Sequence, residues 1–473
     1  MYHSTKYPTV VRKRITVKSF SNGMASTRDE KVSDLSTAKF LYNFDASSGT
    51  LKNGVGLVRF SGFDLTALSG IAVVGVYFYK RFDADLGSWI EKIIYYCSDK
   101  RLYIANMEKG TFKKISDVLF NEKPIAISYD YLDRDIMLFA SSSGETYYLD
   151  NDNLIKIEGA PIITSLCVHK ERIFVTTGGE GTSLWFSDDF DPTNWVVSLT
   201  EAGFIDFQGE GGKLLKVVSF LDYVYVFREY GISRVTAYGN QEEFSTDTIF
   251  GNVGKIYGGS VTNCGDFIIF LSTAGIFRFN GLDVVKILPE YDEYLLNVSN
   301  NNCKGVFINN VLYLMVRFNY GNKTETVIIV YDVRKKSSYI AKGLKVTDFE
   351  FFSGNVNKVV CLVAADKSPF YFRNNGALDG TPLVKEWISP YYDFGVLSKL
   401  KRLYKLSLYT LESLTLTVEC DNKKLTYKFQ GGGLQEVYPA LQGERFRISI
   451  KSTTLNPEIC NLSVFVEYVK GAI

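Results

Sequence analysis

Three aspartates and two tryptophans lie within thirteen positions, in the run SLWFSDDFDPTNW (183–195). Grouped carboxylates can act as general acid and base, or can bind a hard cation. A calcium loop needs five or six oxygen ligands at regular alternation, which this run does not supply. Aspartate side chains also accept hydrogen bonds from nearby backbone N–H groups in turns, and proline fixes φ. We therefore predict a structural turn, with no catalytic or metal-binding role, formed by Trp185, Ser187, Asp188, Asp191, Pro192 and Trp195.

Other catalytic patterns have little support. The chain has two histidines, His3 near the terminus and His169 at the end of a strand-like run, and it lacks G-x-S-x-G. Glycine runs at 178–183, 209–215 and 251–259 do not match the spacing of a phosphate-binding loop, and no helical pattern follows them. We predict that they connect strands at positive φ. The sequence predicts no cofactor, no metal site and no enzymatic activity, although distant paired carboxylates remain open.

Composition favours strands and gives no sign of a nucleic-acid-binding protein. The 473 residues are 46% hydrophobic, and the aromatic content of 15% is typical of half-buried β-structure. The formal net charge is +1, without the basic excess usual in proteins that bind free nucleic acid. Basic residues concentrate in VVRKRITVK (10–18). That segment is predicted to be an exposed edge or an arm on a neighbouring subunit, with a DNA contact as the alternative, through Arg12, Lys13, Arg14 and Lys18.

The seven cysteines are widely spaced and never form CxxC, so neither a disulfide framework nor a zinc site is expected. This usage favours assembly in a reducing cytoplasm. The first thirty residues show no continuous apolar signal segment, and no run approaches the roughly 18 apolar residues of a membrane span. The sequence therefore predicts a soluble protein.

Strand-like runs recur in groups of three or four, and the groups begin roughly 37 to 54 residues apart. Four short strands per repeat predict an all-β fold with a β-propeller of about six or seven four-stranded blades over 61–380. The seventh group lacks its outer strand. Residues 1–60 are predicted to form an N-terminal arm and the strands that close the ring. From about 383 the gaps shorten to hairpin length, which predicts a small β-sandwich over 381–473.

Three stretches resemble a family of tail proteins of short-tailed bacteriophages: the nozzle (tail tubular protein B), hub and stabilization proteins. One of them, VYVFREYGISRV followed by GNVGKIYGGSVTNCGDFIIFLSTAGIFRFNG, looks like the downstream part of the family. The stretch RIFVTTGGEGTSLWFSDDFDPTNW is similar to a family segment in which a strand leads to an aromatic-x-Ser turn and then to Asp-Pro-x-x-Trp. The matching residues are Arg172, Phe174, Trp185, Ser187, Asp191, Pro192 and Trp195. The N-terminal segment looks like the family's opening at Phe20, Gly23, Asn43, Gly49, Leu51 and Gly54, although Asn22-Gly23 replaces the usual double glycine.

The resemblance implies a structural virion protein, assembled in the host cytoplasm, with several copies forming a ring at one end of the tail through which DNA passes. Its partners would be copies of itself, portal or adaptor proteins, other tail proteins and tail fibres, with transient non-specific contact to passing DNA. An alternative is a carbohydrate-binding or glycan-cleaving propeller used in receptor recognition. The 183–195 run loosely resembles the Asp-box turn of sialidases. Cleavage would need two carboxylates roughly 5 to 10 Å apart in a central pocket.

Overall fold

The computed structural model describes residues 9–24, 35–83, 86–106, 109–178, 181–198, 200–251, 253–320, 323–354, 357–395, 399–421 and 423–470. The chain divides into two compact units. The propeller unit comprises 59–326 and 345–371, and the sandwich unit comprises 1–58, 327–344 and 372–473. Among the described residues, no helix is long and apolar enough to cross a membrane.

Five blades of the propeller unit are antiparallel four-stranded sheets in which consecutive strands pair with each other. Alternating apolar residues and tight turns explain this pattern, because a short strand can pair with the next through a two-residue connection. In blade 2, Tyr131 pairs with Arg134 across Leu132 and Asp133, and both turn residues have positive φ. In blade 4, the turn at 221–222 joins its two strands in the same way. Positive φ at both central positions is the mark of a type I′ turn.

In each of the first five blades, the strands follow one another in chain order from the innermost outwards. Blade 1 contains Val73–Asp83, Ser88–Cys97, Leu102–Asn106 and Thr111–Lys114. Blade 2 contains Ile125–Tyr131, Arg134–Ala140, Thr146–Asp150 and Asn153–Lys156. Blade 3 contains Ile163–His169, Arg172–Thr177, Ser183–Phe186 and Gly203–Asp206. Blade 4 contains Leu214–Phe220, Tyr223–Arg228, Gly231–Thr236 and Ser245–Gly251. Blade 5 contains Thr262–Asn263, Ile268–Ser272, Gly275–Phe279 and Val284–Ile287.

Blades 6 and 7 begin in the propeller unit with the strands Lys304–Ile308, Val311–Tyr320, Val346–Phe352 and Lys358–Val363. Three further strands have residues in both units, namely Gly56–Arg59, Lys323–Asp332 and Phe370–Arg373. Helical structure is limited to the single turns Thr66–Leu68, Gln241–Glu243, Gly258–Ser260, Pro289–Tyr291 and Asp292–Leu295 among the described residues.

The seven innermost strands form a closed ring. Each innermost strand contacts those of the neighbouring blades, and between blades 4 and 5 the contact is made by the turn Gly258–Ser260 just before the innermost strand of blade 5. The innermost strand of blade 7 contacts that of blade 1. Between blades 4 and 5, the Asn263 side-chain amide donates to the Ser219 carbonyl at 3.3 Å. Arg59, which precedes blade 1, forms an ion pair at 2.8 Å with Asp366, which follows the strand Lys358–Val363 of blade 7. This closed ring confirms the predicted β-propeller, with seven blades.

Apolar side chains fill the seams between blades, because a four-stranded sheet must cover both of its faces. The seam between blades 1 and 2 contains Tyr77, Tyr79 and Phe139. Between blades 4 and 5, Phe227 and Phe270 are fully buried, with ring centroids 5.4 Å apart. Many of the aromatic residues of the sequence thus pack one blade against the next.

The sandwich unit contains two sheets, which are antiparallel except that Phe40–Tyr42 pairs with Ser337–Ala341 in parallel. One comprises Thr9–Val17, Ile459–Lys470, Lys401–Thr410, Gly433–Val437 and Leu441–Gly443. The other comprises Ser337–Ala341, Phe40–Tyr42, Lys385–Ile388, Arg447–Ser452, Leu414–Cys420 and Lys423–Phe429. Short hairpins are formed by Phe44–Asp45 with Lys52–Asn53 and by Ala377–Leu378 with Thr381–Pro382. The predicted β-sandwich is present.

The units divide the chain differently from the predicted boundaries at 60 and 381. Thr9–Val17, predicted within an arm, pairs along its whole length with Ile459–Lys470. Phe40–Tyr42 pairs with Lys385–Ile388, and 327–344 belongs to the sandwich unit rather than to the propeller. The physical reason is that antiparallel partners need not be neighbours in sequence, so both chain ends enter the same sheet.

Candidate functional site

The 183–195 run contains the third strand of blade 3 and most of the connection to the fourth strand. The Asp188 carboxylate accepts from the N–H groups of Asp189 and Glu201 and from the Asn194 side-chain amide, at 2.9 to 3.0 Å. Asp191 accepts from the N–H and the hydroxyl of the residue two positions later. These carboxylates are engaged in holding the loop, which is the arrangement of a structural turn.

The remaining residues of the run fix the loop to the blade. The Ser187 hydroxyl accepts from the Ile173 N–H at 3.0 Å. The indole N–H of Trp195 donates to the Pro192 carbonyl at 3.2 Å, and its ring lies in the seam between blades 2 and 3. Trp185 stacks on a phenylalanine of the fourth strand with ring centroids 5.0 Å apart. The run therefore serves the packing of blade 3.

The predicted basic segment is an edge strand of the first sandwich sheet. Arg12 lies 3.5 Å from Glu467 with its side chain mostly exposed, and Arg14 lies over an aromatic ring of the neighbouring strand. Lys13 donates to the Phe394 carbonyl, and Lys18 follows the strand in an exposed position. The structure thus places four cations along this edge, and their predicted contact with a subunit or DNA stays a prediction.

Large apolar side chains are exposed at one end of the propeller. This end, the turn face, carries the connections between first and second strands and between third and fourth strands of the blades. Eight of its described apolar residues are between 48% and 71% accessible, namely Phe82, Leu86, Trp89, Leu132, Phe190, Val196, Leu221 and Leu282. At the opposite end, Leu119, Ile162, Tyr230 and Leu296 range from 44% to 49%. Apolar groups gathered on one surface are typical of an interaction site.

The turn face is also rich in carboxylates. A cavity of about 280 Å³ between blades 1 and 2 is lined by Phe82, an asparagine, four aspartates and two arginines. Each of the arginines pairs with an aspartate, Arg81 at 3.1 Å and Arg134 at 2.6 Å. Another aspartate, Asp135, accepts from the Phe82 N–H at 2.8 Å. The cavity therefore has an excess of negative charge beside an exposed aromatic ring.

A buried charged cluster of the propeller lies at the beginnings of the innermost strands. In this central cluster, Asp348 contacts Lys123 at 2.7 Å and Lys304 at 3.1 Å, and Lys304 contacts Glu350 at 3.0 Å. Asp348 also accepts from the Val76 N–H at 2.9 Å, linking blade 7 to blade 1. Burial alone would raise the pKa of Asp348, but the charges of Lys304 and Lys123 hold it below its ordinary value. Asp348 is thus an ionised structural group and does not supply the protonated acid that glycoside cleavage needs.

The Asp348 contact has a counterpart between blades 3 and 4. There the Ser165 hydroxyl accepts from the Val217 N–H at 3.1 Å. Ser165 and Asp348 both follow a register shift near the start of an innermost strand. The register shift leaves this side chain facing the next blade. There it accepts a hydrogen bond from a backbone N–H on the inner edge of that blade's innermost strand, where no neighbouring strand pairs with it.

His169 is buried at the end of the innermost strand of blade 3. Its Nδ1 lies 2.8 Å from the Ser219 hydroxyl, and its Nε2 is buried without a hydrogen-bond partner. Burial and the nearby charge of Lys170 lower its pKa, against the opposing charges of two acidic residues. The side chain is therefore a neutral imidazole between two blades. The other histidine, His3, lies outside the described residues.

This environment of His169 predicts a pH-dependent stability. Because the folded pKa lies below the ordinary value of about 6.5, the contribution of the neutral imidazole is present above that value and is lost as pH falls. We expect the free energy of unfolding to decrease between pH 7 and 5, by at most about 1.4 kcal/mol per pH unit for one proton. Urea unfolding followed by tryptophan fluorescence measures it. The variant His169→Gln should remove this component, and an unchanged slope in that variant would contradict the assignment.

Sequence reasoning missed both the central cluster and a second cavity around Arg228. Arg228 ends an apolar strand in VYVFREYG, where a charged residue should lead into solvent, yet it is 4% exposed. A charged residue directly after an apolar strand was the sequence feature that could have indicated this cavity. Within the described residues, no group of three or more His, Cys, Asp or Glu side chains is placed to hold a metal ion.

Comparison with known proteins yields structural neighbours alone. No family model matches the chain, and no curated protein sequence matches it. One structural neighbour is BBS1N, crystallised in complex with ARL6DN, at TM-score 0.41 and 13% identity over 67% of this chain and 96% of that one. PorZ of the Porphyromonas gingivalis type-IX secretion system gives 0.39 and 11%, over 82% and 46%. The Neurospora crassa Pan2 WD40 domain gives 0.37 and 9%, over 67% and 93%. Likeness at this level carries no functional argument.

Proposed function

We propose that the chain is a structural protein of a bacteriophage tail, in which the propeller docks copies of itself or neighbouring tail proteins through its turn face. The observation that carries the docking role is the set of eight exposed apolar residues on that face. The virion context rests on the three stretches that resemble the nozzle, hub and stabilization family. In this proposal, several copies of the chain form a ring at one end of the tail, and DNA passes through the ring.

Two of the exposed leucines support docking because they cost stability in the isolated chain. Leu132 and Leu221 have φ values of 51° and 46°, in the left-handed region that is unfavourable for a side chain without local hydrogen bonds. Both are more than half exposed, so the free protein gains little burial from them. Asparagine is the better residue for such a turn. A leucine at positive φ becomes favourable for stability when a partner protein buries its side chain.

The double variant Leu132→Asn/Leu221→Asn separates stability from assembly. We expect it to be more stable than the natural chain, by about 1 kcal/mol per turn, because asparagine tolerates positive φ. We also expect it to lose assembly, which sedimentation velocity and negative-stain microscopy of the concentrated protein would measure. The natural chain should form rings or other closed oligomers in the same experiment.

Leu119→Asn provides the matched control, since Leu119 is an exposed leucine at the opposite end of the propeller. It should assemble like the natural chain. Equal assembly by the double variant would exclude the turn face as the docking surface. A natural chain that stays monomeric at high concentration and does not bind tail particles would count against the virion role itself.

A further inference from the structure

A cavity of about 570 Å³ lies at the junction of blades 3 and 4, at the end of the propeller opposite the turn face. One wall is the loop 208–211, and the others are Arg228, the 230–233 segment, Thr248 and Gly251. Its volume is in the range of small-molecule sites. The loop contains part of the glycine run GEGGK, whose first and third glycines have φ values of 92° and 74°.

The cavity contains a buried cation without a counter-charge. Arg228 has no carboxylate partner among the described residues, and its guanidinium donates to the carbonyls of Gln208, Gly209 and Gly212 at 3.3 to 3.4 Å. Gly211 permits this approach, because a Cβ there would lie 2.5 Å from the guanidinium. A guanidinium has five N–H donors, so three bonds leave two donors available. Buried charges in proteins are normally paired, which points to an anionic ligand.

A second buried polar group lines the same cavity. Ser233 is 1% exposed, and its hydroxyl has no hydrogen-bond partner. It lies opposite Thr248 on the neighbouring strand, next to a register shift in that pair of strands. An unpaired buried hydroxyl is unfavourable unless a ligand or water supplies the partner. The cavity therefore offers hydroxyl groups as well as a positive charge.

The rim adds an aromatic ring and a carboxylate. Tyr230 is 44% exposed beside the glycine loop, and Glu210 is exposed on the loop itself. An exposed ring can cover the C–H face of a sugar, and a carboxylate accepts from its hydroxyl groups. The negative charge of Glu210 opposes a compact multiply charged anion such as phosphate. A ligand with one carboxylate and several hydroxyl groups satisfies all of these features.

We propose that this cavity binds a carboxylated sugar, such as a uronic acid residue, through Arg228, Ser233, Glu210 and the ring of Tyr230. The carboxylate takes the free donors of Arg228, and a sugar hydroxyl pairs with Ser233. The site is independent of the proposed docking role, since it lies at the other end of the propeller.

The experiment titrates the full chain with D-glucuronate and with a glucuronate-containing oligosaccharide, measured by NMR chemical-shift changes or calorimetry. We expect saturable binding, at least tenfold tighter than that of uncharged glucose. Tyr230→Ala should weaken it about tenfold. Ser233→Ala should weaken it about fivefold while leaving the thermal midpoint equal or higher, because that variant removes an unpaired buried hydroxyl.

Tyr238→Ala is the matched control, since Tyr238 is also 44% exposed but lies on the turn face, and it should leave the affinity unchanged. The proposal is overturned if glucuronate does not bind, if glucose binds equally well, or if both cavity variants keep the natural affinity. Equal binding of inorganic phosphate or of an oligoglutamate peptide would overturn it in favour of a general anion site.

Discussion

Replacing Asp348 by alanine is expected to destabilise the propeller by about 3 kcal/mol, because two lysines then lose their common counter-charge. Asp348 is 2% exposed and contacts Lys123, Lys304 and the Val76 N–H. The lysine side chains are 35% and 26% exposed, so water offsets part of the loss. The expected value is therefore at the lower end for a broken buried ion pair. Urea unfolding at pH 7 measures the difference.

The same variant has a defined pH dependence. The pKa of Asp348 is held below its ordinary value, so its contribution is complete above about pH 3.9 and is lost as pH falls through the folded value. We expect the stability difference between the natural chain and Asp348→Ala to be constant from pH 5 to 7. It should shrink in strong acid, where the carboxylate is protonated in the natural chain too.

Glu350→Gln is the matched control for Asp348→Ala. Glu350 contacts Lys304 as well, but its side chain is 36% exposed, and Lys304 keeps Asp348 in the variant. We expect a loss of at most about 1 kcal/mol, as for an exposed pair. If both variants lost the same stability, the ion pairs of Asp348 with Lys123 and Lys304 would not be the cause.

The repeat pattern made the propeller predictable because most of its blades pair strands that follow one another in the sequence. The first hairpins of blades 2 and 4 join strands through two residues, and alternating apolar residues mark the strands themselves. The sandwich boundaries were not predictable in this way. Thr9–Val17 finds its partner at the other end of the chain, at Ile459–Lys470, and no local signal specifies that pairing.

The same distinction separates the two kinds of candidate site. The turn at 183–195 could be recognised because its aspartates bond to groups within thirteen residues of themselves. The central cluster could not, because Lys123 and Asp348 are 225 positions apart and meet through ring closure. Arg228 and Ser233 are close in sequence, but their burial depends on the loop contributed after blade 3. The sequence shows the residue types, whereas their burial and their partners depend on how neighbouring blades pack together.

Replacing Trp195 by alanine is expected to cost about 3–5 kcal/mol, the loss typical of a large buried aromatic side chain. Trp195 is 3% exposed in the seam that also contains Ile136, Leu138 and Ile173. Because those residues belong to two sheets, neither blade can close the cavity without shifting against the other. The midpoint of thermal unfolding should fall accordingly, and calorimetry measures it.

Two further variants identify the origin of that loss. Trp195→Phe keeps an aromatic ring in the seam but removes the N–H that donates to Pro192, so we expect a clearly smaller loss than for alanine. Trp89→Ala removes a tryptophan that is 53% exposed on the turn face and should cost no more than about 1 kcal/mol. A loss for Trp195→Ala no larger than that for Trp89→Ala would mean that the 183–195 loop does not hold blades 2 and 3 together. In that case its carboxylates would need an explanation other than a structural turn.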